Sequence, residues 1–261
     1  HLEIVQERLE REYNLDLIIT APSVPYQVLL PDGSELRVDN PSKLPPANEI
    51  KEIREPMLNL TIVAFNRHVG VIMELMHSRR SQFKRIDYLQ GQDGPGQSQD
   101  RVVLEYTMPL VELLADFYNQ LKSKTQGYGS MDYTLEDYQA APLVRVDILV
   151  NQVPVEALSM ILHRDQAASR GRAVVEQLRD TIHRQLFEVP IQAAIGSRII
   201  ARETIRPLRK DVLAKCYGGD VTRKRKLLER QKEGKRRLKM VGRVEIPQEA
   251  FLTLLKLNGD G

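Results

Sequence analysis

The chain has a single cysteine, Cys216, among its 261 residues. That excludes an intramolecular disulfide and a cysteine-only zinc site, and it suits a reducing, cytosolic compartment. Its five histidines, at 1, 68, 77, 163 and 183, are scattered, with no HExxH pair and no cysteine at ligand spacing. They read as solvated or core histidines rather than metal ligands. No GxxxxGK(S/T) loop occurs, so the sequence carries no P-loop phosphate cradle. No apolar run approaches the length needed to cross a bilayer. The chain opens on HLEIVQERLERE where a secretory leader would be basic and then apolar, and it opens without Met. No signal peptide is expected, and His1 is not expected to be the first codon.

What is present is a chain long enough for one large domain or two ordinary ones, with an apolar fraction of 42%. The net charge of +3 conceals a segregation. Residues 201–243 carry 16 Lys+Arg and 5 Asp+Glu, a balance of +11, and the remainder carries 22 and 30, a balance of −8. A field of one sign confined to one segment is what a polyanion would meet.

Periodicity supplies the architecture. Leu2, Val5, Leu9 and Tyr13 predict an amphipathic helix, with Glu3, Glu7 and Glu10 on a charged face beside Arg8 and Arg11. An extended run is expected over Leu15–Ile19. A hairpin is expected from Val24–Leu30 and Glu35–Val38 about Pro31-Asp32-Gly33-Ser34, with its partner elements missing from the chain. Pro41–Pro46 reads as a linker. A strand follows at Leu58, Leu60, Ile62 and Ala64, then a helix at Val69, Ile72, Met73 and Met76. A strand near Arg85–Leu89 leads into the loop Gly91–Gly96, and another alternates at Val102, Leu104, Tyr106 and Met108. One helical face runs from Leu110 to Leu121 for three turns, and a strand alternates at Met131, Tyr133 and Leu135. The order β-α-β-β-α-β is the ferredoxin-like pattern, so the expected fold class is α+β. Beyond a strand at Leu143–Val150, a helical stripe is expected at Val175, Leu178, Ile182 and Leu186, and a strand at Val189–Ile195 ends at Gly196. After a Gly218-Gly219 turn capped by Asp220, a basic helix is expected with Val221, Lys224, Leu228 and Gln231 on its weakly apolar face.

Two features invite a functional reading. Arg67, in the loop after the first ferredoxin-like strand, could serve an anion-binding phosphatase site at a helix amino terminus, although a loop arginine is more often simply solvated. The basic segment is the stronger signal. Arg223–Lys226 and Lys232–Lys239 interleave charge with Leu227, Leu228, Leu238, Met240 and Val241, which points to a structured cationic element. Its ligand is a nucleic acid, with an anionic membrane as the rival. Cys216 reads as a small buried residue, with reactivity beside Lys215 as the alternative.

KDVLAKCYGGDVTRKRKLLERQKEGKRRLKMVGRVEIPQEAF (Lys210–Phe251) closely resembles the carboxy-terminal domain peculiar to LepA-type translational GTPases, the elongation factor 4 family. FEVPIQAAIGSRIIARETI (Phe187–Ile205) and VEALSMILHRDQAASRGRAVVEQL (Val155–Leu178) resemble the same family. LKSKTQGYGSMDYTLEDYQ (Leu121–Gln139) resembles both that family and elongation factor G, and His1–Tyr26 resembles the second half of the third domain of these factors. AFNRHVG (Ala64–Gly70) departs from the TPxEYxG-like pattern of the family, which puts ribosome contacts by Asn66, Arg67 or His68 in doubt.

The resemblance implies three regions: a partial third domain over 1–47, a ferredoxin-like domain over 48–154 resembling the fifth domain of elongation factor G, and a LepA-type tRNA- and ribosome-binding domain over 155–261. It implies a factor acting on post-translocation ribosomes, reversing translocation, with a role in small-subunit assembly also suggested for the family. The expected partners are the ribosome (rRNA and ribosomal proteins) and tRNA. The expected state is a cytoplasmic monomer of bacterial or organellar origin, with peripheral membrane association as an alternative. GTP and Mg2+ belong, on this reading, to a GTPase domain absent here, so no cofactor and no catalytic residue are assigned to the chain. The expected phosphate contacts are Lys215, Arg223, Lys224, Arg225, Lys226, Arg230, Lys232, Lys235, Arg236, Arg237 and Lys239. Tyr217 is expected to stack on a base or ribose, and Gly218 and Gly219 to permit close backbone approach. A freestanding RNA-binding protein is the alternative.

Overall fold

The computed structural model describes residues 2–14, 17, 22–89, 101–114, 116–208, 221–241, 244, 246, 247 and 249–251. The chain divides into two compact units, with breaks in sequence at Ala21/Pro22 and at Leu143/Val144. Helix α1 (Leu2–Tyr13) forms as its periodicity predicts, and Arg8–Glu12 (2.9 Å) and Arg11–Glu7 (3.8 Å) pair along its exposed side. The extended run expected over Leu15–Ile19 lies outside the described residues apart from Leu17.

The first unit begins with the hairpin β1 (Tyr26–Leu29) and β2 (Glu35–Val38). Gly33 takes φ +87°, open to glycine at little cost, and the Asp32 carboxylate accepts from the Ser34 amide (2.9 Å) and hydroxyl (2.6 Å). Those bonds, the hydroxyl's first, hold the Asp32 carboxyl below its usual range. The hairpin is not an orphan. β1 pairs antiparallel with β3 (Glu52–Phe65), matching Gln27, Val28 and Leu29 to Arg54, Ile53 and Glu52. The linker residues between them form two short 3-10 turns, Pro41–Lys43 and Ala47–Glu49. The alternation at Leu58–Ala64 reveals only part of β3, because Pro56, Met57 and a shift of register near Pro56/Leu58 interrupt the pattern towards its start.

From β3 the chain runs through α2 (Val69–His77), β4 (Gln82–Leu89), β5 (Arg101–Pro109), α3 (Leu110–Leu114), α4 (Phe117–Lys124) and β6 (Ser130–Ala140). The strand order β6–β3–β5–β4 is antiparallel throughout, and it is the ferredoxin-like arrangement. The alternating residues do what their pattern demands. Leu58, Leu60, Ile62 and Ala64 pack with Val102, Leu104, Tyr106 and Met108 beneath Ile72, Leu75 and Met76 of α2 and Phe117 and Leu121 of α4. Burying each large apolar chain contributes about 1.5–3 kcal/mol. The opposite sheet face is polar: Asn59 bonds Glu136, Lys84 bonds Asn59 and Glu136, and the Thr107 hydroxyl donates to Asn59 (3.2 Å). The single three-turn helix expected from Leu110 to Leu121 is instead two, because Asp116 adopts φ 52° between α3 and α4. Apolar spacing survives such a break and cannot reveal it. The loop Gly91–Gly96 lies outside the described residues.

A buried ion-pair clasp ties this unit together. Arg80, at φ 51° in the turn between α2 and β4, grips Glu55 of β3 with both terminal nitrogens (2.7 and 3.1 Å) and donates from Nε to Glu112 of α3 (2.7 Å). Glu55 and Glu112 are almost fully buried. Desolvation works against the Arg80 charge, and the bonds and charges of the two glutamates outweigh it, so its pKa stands above normal. Next to it Arg79 is buried and donates to Gln120 of α4 (3.0 Å). The Tyr26 hydroxyl is pushed well above its ordinary value by burial and by the Glu55 charge, with Arg80 opposing and Glu112 adding.

The second unit contains β7 (Leu143–Val150), β8 (Val153–Pro154), β9 (Met160–His163), α5 (Arg164–Thr181), β10 (Val189–Ile195), β11 (Arg198–Ile205) and α6 (Val221–Val241). Its sheet runs β11–β10–β7–β8, with β9 also on β7. Gly196, at φ +57°, opens the two-residue β10–β11 turn. α5 packs on β10 and β11 through Gly171, where a Cβ would sit 3.1 Å from Ile200 and 3.2 Å from Ala193. The helix begins earlier than its apolar stripe, capped by His163, and ends at Thr181. The expected continuation to Leu186 fails because Ile182 turns extended (ψ 128°) and is buried while Leu186 is exposed.

Removing one partner of the clasp leaves buried charge uncompensated, so Glu55→Ala and Arg80→Ala should each destabilise the first unit by about 3–5 kcal/mol. Arg80→Lys should also lose stability, because a point charge cannot make the two-pronged bond. Urea unfolding followed by tyrosine fluorescence measures this, since seven of the nine tyrosines lie within residues 22–143 and no tryptophan competes. A loss under about 1 kcal/mol for both alanine variants would show that the clasp is not a principal support.

Two tyrosines should titrate late. Burial raises Tyr106 as well as Tyr26, and the Tyr106 hydroxyl has no hydrogen-bond partner among the described residues. A folded pKa above the unfolded value of about 10 gives stability that is complete below that pH and lost as pH rises through the folded pKa. Absorbance at about 295 nm should show two phenols lagging the rest until alkaline unfolding, one fewer in Tyr26→Phe. Tyr106→Phe should be neutral or stabilising, since it removes an unsatisfied polar atom. Titration of every phenol together near pH 10 contradicts this.

Candidate nucleic-acid interface

α6 is the most charged element of the chain. Its 21 residues include ten Lys+Arg and two Asp+Glu, a balance of +8. Leu, Lys, Arg, Glu and Gln all favour helix, and only Gly234 opposes it, at about 1 kcal/mol. At 1.5 Å per residue the helix is about 31 Å long. Arg223, Lys224, Arg225 and Lys226 are consecutive, so at 100° per residue they surround the axis rather than marking one side.

Of the residues expected to bind, Arg225, Lys226, Arg230 and Lys232 are exposed on α6, and Lys224 is half-buried. Arg225 Nε lies 3.4 Å from Glu229 one turn on, an exposed pair of small energetic consequence. Arg223, Lys235, Arg236, Arg237 and Lys239 fall on the helix backbone, with side chains outside the described set. Lys215, Tyr217, Gly218, Gly219 and the expected Asp220 cap also lie outside the described residues, as does Cys216. The less exposed side of α6 runs through Lys224, Leu227 and Gln231. Lys224 and Gln231 lie on that side as expected, whereas Val221 and Leu228 are 74% and 47% exposed and Leu227 takes the position expected of Leu228.

A second group of arginines carries no sequence signal. The end of α5 and the end of β11 flank an open cleft of about 610 Å3 lined by Arg179, His183, Arg184, Glu203 and Arg206 among others. The Leu208 amide donates to Gln185 O (2.8 Å) and holds the two segments side by side. Arg179 is committed to Asp180 (2.9 Å) and Glu203 (3.1 Å), which raises its pKa, and the hydrogen bond from Arg179 lowers that of Asp180. Arg184 and Arg206 are exposed and have no ion pair among the described residues. They are some twenty residues apart in sequence, and only the fold brings them to one cleft.

Arg67 is engaged within its own unit. Its guanidinium carbon lies 5.1 Å from the Phe65 ring centroid and 5.5 Å from that of Tyr128, and Nε donates to His68 Nε2 (3.1 Å). Among the described residues no cluster of three or more His, Cys, Asp or Glu could hold a metal ion, and no helix is long and apolar enough to cross a membrane.

Residues 150–256 match the family model described as GTP-binding protein LepA C-terminus, and residues 52–149 match that described as Elongation factor G C-terminus. Curated relatives named elongation factor 4 align along the whole chain. That of Lacticaseibacillus casei (strain BL23) is 53% identical over 260 residues, covering 100% of this chain and 41% of the relative. That of Paenarthrobacter aurescens (strain TC1) is 60% identical over 255 residues, covering 98% and 40%. That of Synechococcus elongatus is 54% identical over 261 residues, covering 100% and 42%. The chain thus spans about two-fifths of the length of the curated relatives it matches.

Because Arg67 is held by ring faces, the chain should not hydrolyse a small acyl phosphate through it. Arg67→Ala should cost about 0.5–1 kcal/mol of stability for each of the two rings it uncovers. Turnover above background that disappears in Arg67→Ala would instead make this loop an enzyme site.

Proposed function

This chain belongs to the elongation factor 4 (LepA) family, corresponding to the carboxy-terminal portion of its members, and we propose that it is the rRNA- and tRNA-binding part of such a translation factor. The observation that supports this most is α6, with ten basic residues against two acidic ones and four of the basic side chains exposed along it. Neutralising phosphates releases condensed counterions, so a helix of this kind binds RNA strongly, with marked salt dependence and little regard for sequence. The exposed cations Arg225, Lys226, Arg230 and Lys232 suit an A-form duplex such as the tRNA acceptor arm, whose deep major groove cannot be read but whose phosphates and 2′-hydroxyls are accessible. The acidic remainder of the chain limits indiscriminate binding elsewhere.

In this reading the factor works as a cytoplasmic monomer on post-translocation ribosomes and moves them backwards, with this chain supplying grip and no chemistry. GTP and Mg2+ are assigned to the remainder of the factor, and peripheral membrane binding is the rival use of α6.

The test is the quadruple variant Arg225→Glu, Lys226→Glu, Arg230→Glu and Lys232→Glu. Glutamate and lysine have similar helix propensity and these positions are exposed, so far-ultraviolet circular dichroism should be unchanged. Filter binding of tRNA across a salt series should show weaker affinity and a shallower slope, by roughly 0.7–0.9 for each phosphate no longer neutralised. A folded variant with unchanged affinity and slope would sink the proposal. Loss of binding to anionic phospholipid vesicles with tRNA binding intact would favour the membrane instead.

A further inference from the structure

The ferredoxin-like unit carries, at one end of its sheet, a cluster that its packing does not use up. Phe65 ends β3 and Arg101 begins β5, directly paired across the strands. Tyr128 lies just before β6, which starts opposite Val63. The Phe65 and Tyr128 rings sit 5.1 Å apart, tilted by 59°. Arg67 covers both rings, and the Arg101 guanidinium carbon lies 5.8 Å over Phe65 from its own position. Two cations thus crowd one pair of rings. Neither Arg67 nor Arg101 has an ion pair among the described residues, although carboxylates are plentiful elsewhere on this sheet and neutralise Arg85 (Glu105, 2.6 Å) and Lys84 (Glu136, 3.1 Å).

Tyr128 is 58% exposed yet held on a stiff loop. The fully buried Thr125 donates its hydroxyl to Leu121 O (2.7 Å) and accepts from the Gly129 amide (2.8 Å). The Tyr128 amide donates to Thr125 O (3.0 Å), and that of Gly127, at φ +85°, to Lys122 O (2.7 Å). A Cβ on Gly129 would fall 2.7 Å from the Thr125 hydroxyl oxygen, so only glycine fits. Lys122 reaches Gly127 O (3.3 Å) and adds a third cation beside the loop. Folding has already immobilised this ring, so little ordering cost remains for a ligand that stacks on it.

We propose that Phe65, Arg67, Arg101 and Tyr128 form a second RNA site, distinct from α6, that stacks one unpaired base on Tyr128 and holds the adjoining phosphates with Arg67 and Arg101. The inference rests on the reading of the chain as an RNA-binding part, and it adds a different class of target. Bare charge on a helix suits a duplex. An exposed ring flanked by guanidinium groups suits a single-stranded nucleotide, because every base offers a π-face and every linkage an anion. The site should be tolerant of sequence, since no buried polar group is aimed at a base edge.

The experiment uses the whole chain and a short single-stranded RNA containing 2-aminopurine, whose fluorescence is quenched on stacking. Binding should quench it. Tyr128→Ala should abolish the quench and weaken affinity roughly five- to a hundred-fold, while Tyr128→Phe retains both. Arg67→Ala with Arg101→Ala should weaken binding and flatten the salt slope, with thermal melting to confirm folding. The α6 quadruple variant should leave the quench intact, so failure of the α6 reading and failure of this one are separable. Unchanged quenching in a folded Tyr128→Ala variant overturns the proposal. Equal competition by polyglutamate and by RNA also overturns it, because the site would then be a cation patch without stacking.

Discussion

The three-way ion pair of Arg80 with Glu55 and Glu112 is the constraint on which the ferredoxin-like unit turns. Burying three charges is unfavourable unless the geometry satisfies them, and here one guanidinium fork meets two carboxylates from β3 and α3. The arrangement fixes the turn after α2, where Arg80 sits in a left-handed conformation that a non-glycine residue seldom adopts without compensation. Through Glu55 it also fixes the part of β3 that continues past β5 and receives the hairpin. Hairpin, helices and sheet therefore share one polar anchor, alongside the apolar core.

That dependence explains which parts of the fold are legible in the sequence. The alternations at Leu58–Ala64 and Val102–Met108, and the stripe at Ile72 and Met76, follow from one buried face on each element, and they lead to the ferredoxin-like order. Side-chain period reports which face is buried, and is silent about partners and breaks. The hairpin reads as incomplete because nothing in Val24–Val38 announces that residues 52–54 will pair with it. The break at Asp116 and the early end of α5 at Ile182 keep apolar spacing while the backbone changes. Glu55, Arg80 and Glu112 are invisible for the same reason: charged residues far apart in sequence give no local sign of meeting.

The candidate interfaces divide along the same line. α6 is legible because its charge is consecutive in sequence, and a run of like charge needs no tertiary structure to be recognised. Its less exposed side is legible at Lys224 and Gln231 but not at Val221 and Leu228, since few apolar residues on a mostly cationic helix set its phase poorly. Arg184 with Arg206, and Phe65 with Arg67, Arg101 and Tyr128, come from separate segments and exist as groups only in the fold. The sequence marks the loop around Arg67 only as a free cation near a helix. The rings that Arg67 covers change its chemistry from bare anion binding to stacking with charge.

In the proposed reading, affinity and discrimination rest on different physics in the two units. A long cationic helix binds through many exposed, individually weak contacts, so its grip is strong at low salt, adjustable and almost blind to sequence. Such a surface cannot tell one stretch of ribosomal RNA from another. The platform at Tyr128 offers few charges but a ring already fixed by Thr125 and Gly129, and its preference depends on whether the nucleic acid presents an unstacked base there. Rigidity matters more for the second kind of contact, because a gap of about 1 Å forfeits up to about half of a dispersion contact while screened charge acts over about 8 Å at physiological salt. That difference gives a physical reason for the platform to sit in the unit with the buried clasp, and for the charge to sit on a helix whose Arg225, Lys226, Arg230 and Lys232 side chains stand in solvent.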